Sequence, residues 1–383
     1  MSKEIHDVII VGAGPIGSHT AYLLAKEGLD VGIFEKNSGI GKDVNCTGIV
    51  STECLKIFGI PDEVILRPVN SIKAFSPSGN CLRYHSASPL AYIINRSLFD
   101  QDINRRAVTE GATTYLNTKV ENISISDGSF KIKVKTEGKD REFRSKTGVI
   151  ATGFELNSFI KKPKRFLYGI QTDVKMEGVN DIEVYFGKQI APESFGWVVP
   201  TNGKSVKIGL ITKKNPAEFL KKFLQNPLIA QRLSTYDRKI RCSPIPLGRI
   251  PKSYAERLVI VGEAAGQVKT TTGGGIYFGL LCSEIAVNII LKAFKNGNYS
   301  EKMFKEYERI WRSKVEHEIK AGRMLRNLFS RLSDNQIDLL IDFAKRDGIL
   351  PIIKKSHFDW HKDIIISLSR LLISKKLFKK QYS

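Results

Sequence analysis

Cysteine is too scarce and too scattered here to build with. The five thiols, Cys46, Cys54, Cys81, Cys242 and Cys282, are odd in number, form no CxxC pair and have no histidine at zinc spacing. That excludes a disulfide framework and a zinc site of recognisable pattern. Long apolar runs are missing too. The longest, residues 276–291, is interrupted by Ser283, Glu284 and Asn288, so no membrane span is expected. No leader-like segment precedes the first strand pattern at Val8, which predicts a cytosolic protein without signal or transit segment. Internal repeats and low-complexity linkers are absent. Acid is the remaining shortage: 39 Asp and Glu against 60 Lys and Arg leave a formal charge of +21. Such an excess calls for an anionic partner, a polyanionic surface such as a membrane, or a lysine-rich solvated exterior. Nucleic acid is not expected. The 383 residues, 42% of them hydrophobic, suffice for two or three domains with real cores.

What is present starts with Val8-Ile9-Ile10-Val11-Gly12-Ala13-Gly14-Pro15-Ile16-Gly17, a helical run through Ala25, and Val31-Gly32-Ile33-Phe34-Glu35. Strand, glycine turn, helix and strand make a βαβ unit fit for a dinucleotide. Gly12 turns the chain out of the strand, Gly14 lets backbone approach a pyrophosphate, and Gly17 lets the helix pack close on the sheet. The helix N-terminus, entered at Pro15, receives the phosphate charge. Glu35 ends the second strand where a carboxylate accepts hydrogen bonds from an adenosine ribose, which favours free ribose hydroxyls over a 2′-phosphate.

A second strand, Arg257-Leu258-Val259-Ile260-Val261, runs into Gly262-Glu263-Ala264-Ala265-Gly266, then Thr270-Thr271-Thr272-Gly273-Gly274-Gly275-Ile276 and a long apolar helix. Glu263 can hold hydroxyls of a ribityl chain. Backbone N–H groups around Gly273, Gly274, Gly275 and Ile276 can face the N1/C2=O edge of a flavin, where a helix N-terminus stabilises negative charge. Two dinucleotide loops so far apart fit a discontinuous FAD domain better than an NAD domain.

On these residues the chain resembles the geranylgeranyl reductase group of flavoproteins, within the p-hydroxybenzoate hydroxylase-like FAD proteins. The resemblance also rests on Asn45-Cys46-Thr47-Gly48-Ile49 in place of the cysteine-glycine segment. Arg96-Ser97-Leu98-Phe99-Asp100 stands in place of the Arg-x-x-(Leu/Phe)-Asp helix start, and Phe195-Gly196-Trp197-Val198-Val199-Pro200 is similar to the aromatic-x-Trp-x-x-Pro motif. It implies an α/β fold: a Rossmann-like FAD-binding domain, an antiparallel β-sheet substrate domain and a C-terminal helical region. The FAD domain is expected over 1–70, 96–165 and 245–298, the substrate domain over 71–95 and 166–244, and the helical region over 299–383. It further implies Lys36, Val120, Arg96, Gly266 and Cys46 among the residues around FAD. Three departures stand out: Glu263 replaces the usual Asp, Thr270 replaces a common Pro, and Val149-Ile150-Ala151-Thr152-Gly153 lacks the Asp-Gly of hydroxylase relatives. The electron donor, NAD(P)H or ferredoxin, is left open.

Cys46 is read either as a thiol that supplies a proton at the reacting alkene or as a small residue that lets its loop pack under the flavin. Trp197, Phe195, Tyr185 and Pro200 are expected as an apolar substrate wall. Arg96 suits the pyrophosphate or the flavin edge. In the tail, Ile365, Leu368, Leu371, Leu372 and Phe378 share a broad helical face, bordered by Arg370, Lys375, Lys376, Lys379 and Lys380. That pattern suits either anionic lipid headgroups or docking on the protein itself. The expected activity is reduction of isolated C=C bonds in a polyprenyl or other isoprenoid lipid by a peripheral membrane flavoenzyme. An FAD monooxygenase or halogenase and a non-catalytic flavin electron carrier are the alternatives.

Overall fold

The computed structural model describes residues 4–136, 138–154, 165–236, 239–346 and 357–367. Its first sheet is built on strand Ile5–Val11, where Val8, Ile9 and Ile10 are wholly buried. An uninterrupted apolar run of this kind belongs to a strand covered on both faces. Parallel neighbours flank it, Val31–Phe34 and then Thr113–Tyr115 on one side, Lys139–Ile150 and then Leu258–Ile260 on the other. Leu258–Ile260 thus joins the sheet from far along the chain, beside Ile150. Strands Thr118–Ser126 and Ser129–Thr136 add an antiparallel meander to the early half of Lys139–Ile150. Their turn places Asp127 at φ 50° and Gly128 at φ 65°, the paired positive values of a type I′ hairpin.

Helices Pro15–Lys26, Arg96–Thr109 and Ile276–Asn296 cover this sheet and share its largest apolar core. Asn95 starts the middle one, its side chain accepting from the N–H groups of Ser97 at 3.1 Å and Leu98 at 3.2 Å. Ile276–Asn296 is, at 21 residues, long and apolar enough to cross a membrane, contrary to the sequence expectation. Its most apolar stretch is however 67% buried in the protein, which explains the composition as that of a core helix.

The second sheet runs Leu233–Tyr236, Phe166–Met176, Ser205–Thr212, Gly196–Pro200, Ile182–Tyr185, Ser71–Phe75, Cys81–His85, with Arg241–Pro246 also paired to Phe166–Met176. All its pairings are antiparallel except that of Ile182–Tyr185 with Ser71–Phe75. Helix Pro216–Gln225 closes one face with Leu220 and Phe223 against Val198, Ile208 and Leu210. A small sheet of Ile49–Ser51, Ala91–Ile94 and Ile65–Val69 lies against the other face, through Val69, Ala91 and Ile93 on Ile182 and Val199. Ala91–Ile94, which falls in the stretch 71–95 expected to belong to the substrate domain, pairs with Ile49–Ser51 and Ile65–Val69.

Three further helices follow, Glu301–Trp311, His317–Phe329 and Asp334–Arg346, the first two joined through a π turn at Arg312–Glu316. Buried Trp311 donates its indole N–H to Ser253 Oγ at 2.9 Å, tying them to the first sheet's edge region. Residues 357–361 then return to the core, where Trp360 packs on Tyr277 and Phe278. Ile365 is only 1% exposed, so it is a protein-packing residue and not part of a free lipid-facing stripe. Leu368 and the rest of the expected tail face lie outside the described residues.

Candidate functional site

Gly12 leaves the first strand at φ +103°, and a Cβ there would stand 2.6 Å from the Ala151 carbonyl oxygen. Only glycine fits both constraints. A Cβ on Gly17 would overlap the Gly12 carbonyl oxygen, so the helix approaches the strand as closely as backbone allows. Gly14 differs: it has an ordinary φ of −67° as the helix N-cap, and a Cβ there would meet no protein atom within 4 Å. The open space lies at a helix N-terminus begun by Pro15, where phosphate oxygens find unpaired N–H groups. Glu35 reaches back to the same turn, its carboxylate accepting from Ala13 N–H at 3.0 Å and Asn37 N–H at 3.0 Å. Lys36 is exposed beside it. Val120 has its side chain in the core with Ile9, Val11 and Phe34, which leaves its backbone as the part able to meet a ligand.

The second loop is fixed by its own contacts. Gly262 and Gly266 have φ +68° and +74°, and a Cβ on Gly266 would overlap the Gly248 carbonyl oxygen. Gly262 N–H donates to Gln267 Oε1 at 2.7 Å, and Gln267 in turn donates to buried Tyr307 at 2.8 Å. Gly275 precedes the helix that opens at Ile276, and a Cβ on it would lie 3.3 Å from Glu263 Oε1. Glu263 is thus set under the glycine turn. Burial pushes its carboxyl upward, partly offset by Arg96 and by the Phe154 N–H. Thr270, the departure from proline, is held by helix His317–Phe329: its hydroxyl donates to Ile319 O at 2.7 Å. From the same helix Arg326 donates to the Thr270 carbonyl at 2.8 Å, the Thr271 carbonyl at 2.7 Å and Ser194 Oγ at 2.9 Å. The loop is therefore clamped by hydrogen bonds where proline would have stiffened it. Gly274 sits behind Lys269, whose ammonium pairs with buried Asp359 at 2.6 Å.

The second glycine loop and the cysteine loop border one face of the second sheet. Register puts Trp197 opposite Gly209 and Val199 opposite Lys207, so Trp197, Val199, Lys207, Gly209 and Ile211 share that face. Asn45 donates to the Gly169 carbonyl at 3.2 Å and Lys207 donates to the Cys46 carbonyl at 2.9 Å, which seats the cysteine loop on it. From the other side, a Cβ on Gly273 would lie 3.2 Å from Ile245 and 3.5 Å from Ile211. Cys46 Sγ accepts from Gly48 N–H at 3.4 Å, and Arg96 stands near enough for the two to interact electrostatically. Arg96 forks onto Asp100 at 3.0 and 3.2 Å. Burial works against its charge, but Asp100 and Cys46 outweigh burial and the net displacement is upward. Arg96 accordingly ties Cys46, Asp100 and the surroundings of Glu263 together, rather than standing exposed in a helix's first turn.

The aromatic set divides. Phe195 lies 6.2 Å from Trp197, ring to ring, and both are half-buried. The Trp197 indole N–H is buried and finds no acceptor among the described residues, the condition of a donor that a ligand would satisfy. Tyr185 needs correction. Because Val184 is the residue opposite Trp197, Tyr185 points to the other face, stacks on Phe75 at 4.6 Å, packs on Phe223, and donates to Glu183 at 2.6 Å. Pro200, opposite Val206, alternates onto that helix-covered face as well. Neither lines the Trp197 face. Lys207 and Arg326 belong to the site without a sequence signal, since neither falls in a motif and each acts across a long stretch of chain; Asn45 stands in the cysteine motif, but nothing local announces its bond to Gly169.

The two glycine loops, the open space at Gly14, the carboxylate of Glu35 and the orphan indole N–H fit an FAD molecule spanning from the first loop to the Trp197 face. Comparison with known proteins agrees. A family model described as FAD dependent oxidoreductase matches residues 7–58. The chain is 31% identical over 360 residues to the digeranylgeranylglycerophospholipid reductase of Methanocaldococcus jannaschii, covering 89% of this chain and 90% of the relative. Among solved structures it is similar to a geranylgeranyl bacteriochlorophyll reductase-like protein from Thermoplasma acidophilum, with TM-score 0.84 at 22% identity over 96% of this chain and 99% of that one. It is also similar to the flavin-dependent brominase Bmp2, with TM-score 0.73 at 17% identity over 97% and 100%; at such identities the likeness is one of fold. The cofactor is FAD, and the chain belongs to the family of digeranylgeranylglycerophospholipid reductases, FAD-dependent oxidoreductases of the geranylgeranyl reductase type.

Proposed function

We propose that this protein hydrogenates isolated C=C bonds in geranylgeranyl or related polyprenyl chains of a membrane lipid. The observation that carries the reading is the meeting of Cys46, the glycine loop and the Trp197 face, where Phe195, Trp197, Ile211 and Ile245 offer an apolar wall and Cys46 offers a proton. The name of the jannaschii relative supports the substrate class. Bound and reduced, FAD supplies a hydride from N5 to one alkene carbon. The chain's task is then to hold the alkene against the apolar wall, exclude water, and deliver a proton from Cys46 to the other carbon. An unactivated alkene develops no oxyanion, so positioning carries most of the work. Gly12, Gly14, Pro15 and Gly17 hold the pyrophosphate, and Glu35 the ribose. Glu263 and Gly274 to Ile276 hold the flavin end. The lipid reaches the protein at an anionic membrane surface, toward which the basic apolar sequence of the tail directs it, and electrons arrive from NAD(P)H or a reduced ferredoxin. The test is anaerobic: reduced protein is mixed with a geranylgeranyl glycerolipid. Lipid-dependent return of the oxidised flavin spectrum, with two hydrogen atoms gained per bond by mass spectrometry, supports the reading. An oxygenated or halogenated product under air, or no lipid-dependent change, overturns it in favour of a monooxygenase, halogenase or electron carrier.

A further inference from the structure

Lys207 is out of place by every local rule. Strand Ser205–Thr212 gives the Trp197 face Gly209 and Ile211, residues suited to an apolar wall, and between them and the sheet end it places an ammonium. Burial disfavours that charge and pulls its pKa down. Asp173 lies across the ladder from it, but Arg241 takes Asp173 Oδ2 at 2.9 Å. The ammonium donates to the Cys46 carbonyl at 2.9 Å. The Arg96 guanidinium, held on Asp100 at 3.0 Å, stands within electrostatic reach of the same residue. Cys46 therefore has one cation bonded to its main chain and another in its neighbourhood, and the titratable and charged groups that face Lys207 are Cys46, Asp173, Arg96 and Arg241. A neutral thiol gains little from such surroundings. A sulfur that has released its proton gains a great deal.

We propose that Lys207 is a positioning residue for Cys46: it anchors the cysteine main chain over the Trp197 face and, opposite Arg96, supplies positive charge that balances the sulfur once its proton has left. The inference rests on the reading of Cys46 as proton donor. In that step the S–H bond breaks and a C–H bond forms at the alkene carbon that does not receive hydride. The electron pair stays on sulfur, and the thiolate regains a proton from water afterwards. No oxidant or reductant beyond the reduced cofactor is needed.

The experiment uses FAD-loaded wild type, Lys207→Met and Lys207→Arg. Alkylation of Cys46 by iodoacetamide at neutral pH, without lipid, is followed by mass spectrometry of the Cys46 peptide. Lipid-dependent flavin reoxidation is then measured on the same samples. Lys207→Met should keep FAD, alkylate Cys46 about tenfold more slowly, as loss of one neighbouring cation implies, and lose at least as much in alkene reduction. Lys207→Arg should restore both. Unchanged or faster alkylation in Lys207→Met overturns the proposal, because a loosened loop only exposes the thiol. Slower alkylation with wild-type alkene reduction overturns instead the assignment of Cys46 as proton donor.

Discussion

Gly14 and Gly17 sit in one turn and should fail in opposite ways when replaced. In Gly14→Leu the backbone is unstrained, since φ is −67° and no protein atom lies within 4 Å of the new Cβ. The apo-protein should then melt as wild type, within the roughly ±0.5 kcal/mol typical of uncrowded sites. FAD should suffer. A side chain in that space removes the approach of backbone N–H groups to the pyrophosphate. Two charge-assisted hydrogen bonds, at about 1.5–3 kcal/mol each, amount to about 3–6 kcal/mol, or roughly two to four decades in Kd. Gly17→Ala puts a carbon onto the Gly12 carbonyl oxygen, so the apo-protein itself should lose about 2 kcal/mol or more as helix and strand separate. Flavin fluorescence quenching on titration of apo-protein gives the first quantity, and urea unfolding of apo-protein gives the second. If Gly14→Leu binds FAD within a factor of about three of wild type, which is under 1 kcal/mol, no phosphate approaches that turn and the cofactor placement is refuted.

The parts of this site legible in the sequence are those whose geometry is set within a few residues. A strand followed by Gly12, Gly14 and Gly17 dictates its turn and helix locally, and the same holds for the hairpin at Asp127 and Gly128. The Trp197 face was harder to read, because which side chains share a sheet face depends on register between strands. Here Val184 aligns with Trp197; a slip of one residue would have put Tyr185 beside it, as the aromatic pattern suggested. Lys207 and Cys46 are 161 residues apart, and neither alternation nor spacing announces their contact. Thr270 stands out in the sequence only as a departure from proline, because what holds it, Arg326 and the Ile319 carbonyl of helix His317–Phe329, lies far along the chain. Ile365 fits a lipid-facing helical stripe by spacing, yet packs inside the protein, since amphipathic periodicity does not say what covers the apolar side.

Further outcomes follow from the same geometry. Cys46→Ala should retain FAD and fold but slow lipid-dependent flavin reoxidation by about 10²-fold or more, the usual weight of a positioned proton donor; a wild-type rate would make the thiol a packing residue. Arg326→Met should cost at least about 2 kcal/mol in urea unfolding and weaken FAD binding, since two hydrogen bonds to the loop and one to Ser194 are lost; unchanged FAD affinity would mean the clamp does not serve the flavin loop. His19 is buried, and burial, helped by Arg106, holds its pKa down at about 4 against an ordinary 6.5. Above pH 6.5 the ring is neutral folded or unfolded, but between 6.5 and 4 the unfolded chain alone takes up a proton. Stability should fall there by up to about 1.4 kcal/mol per pH unit, and His19→Leu should flatten that limb of a urea-unfolding series; an unaltered slope would assign it to other groups. The last outcome concerns the membrane. Residues 357–367 are part of the protein core through Asp359, Trp360 and Ile365, so a test of the tail must spare them. Deletion from residue 368 onward removes Arg370, Lys375, Lys376, Lys379 and Lys380 together with Leu371, Leu372 and Phe378. Each cation near an anionic surface contributes about 1 kcal/mol and is screened by salt, whereas apolar insertion is not. Full-length protein should therefore co-sediment with anionic vesicles, less so in moderate salt, and the truncated protein should sediment weakly while keeping its FAD and melting temperature. Equal sedimentation of the two would place the lipid-docking surface elsewhere on the basic exterior.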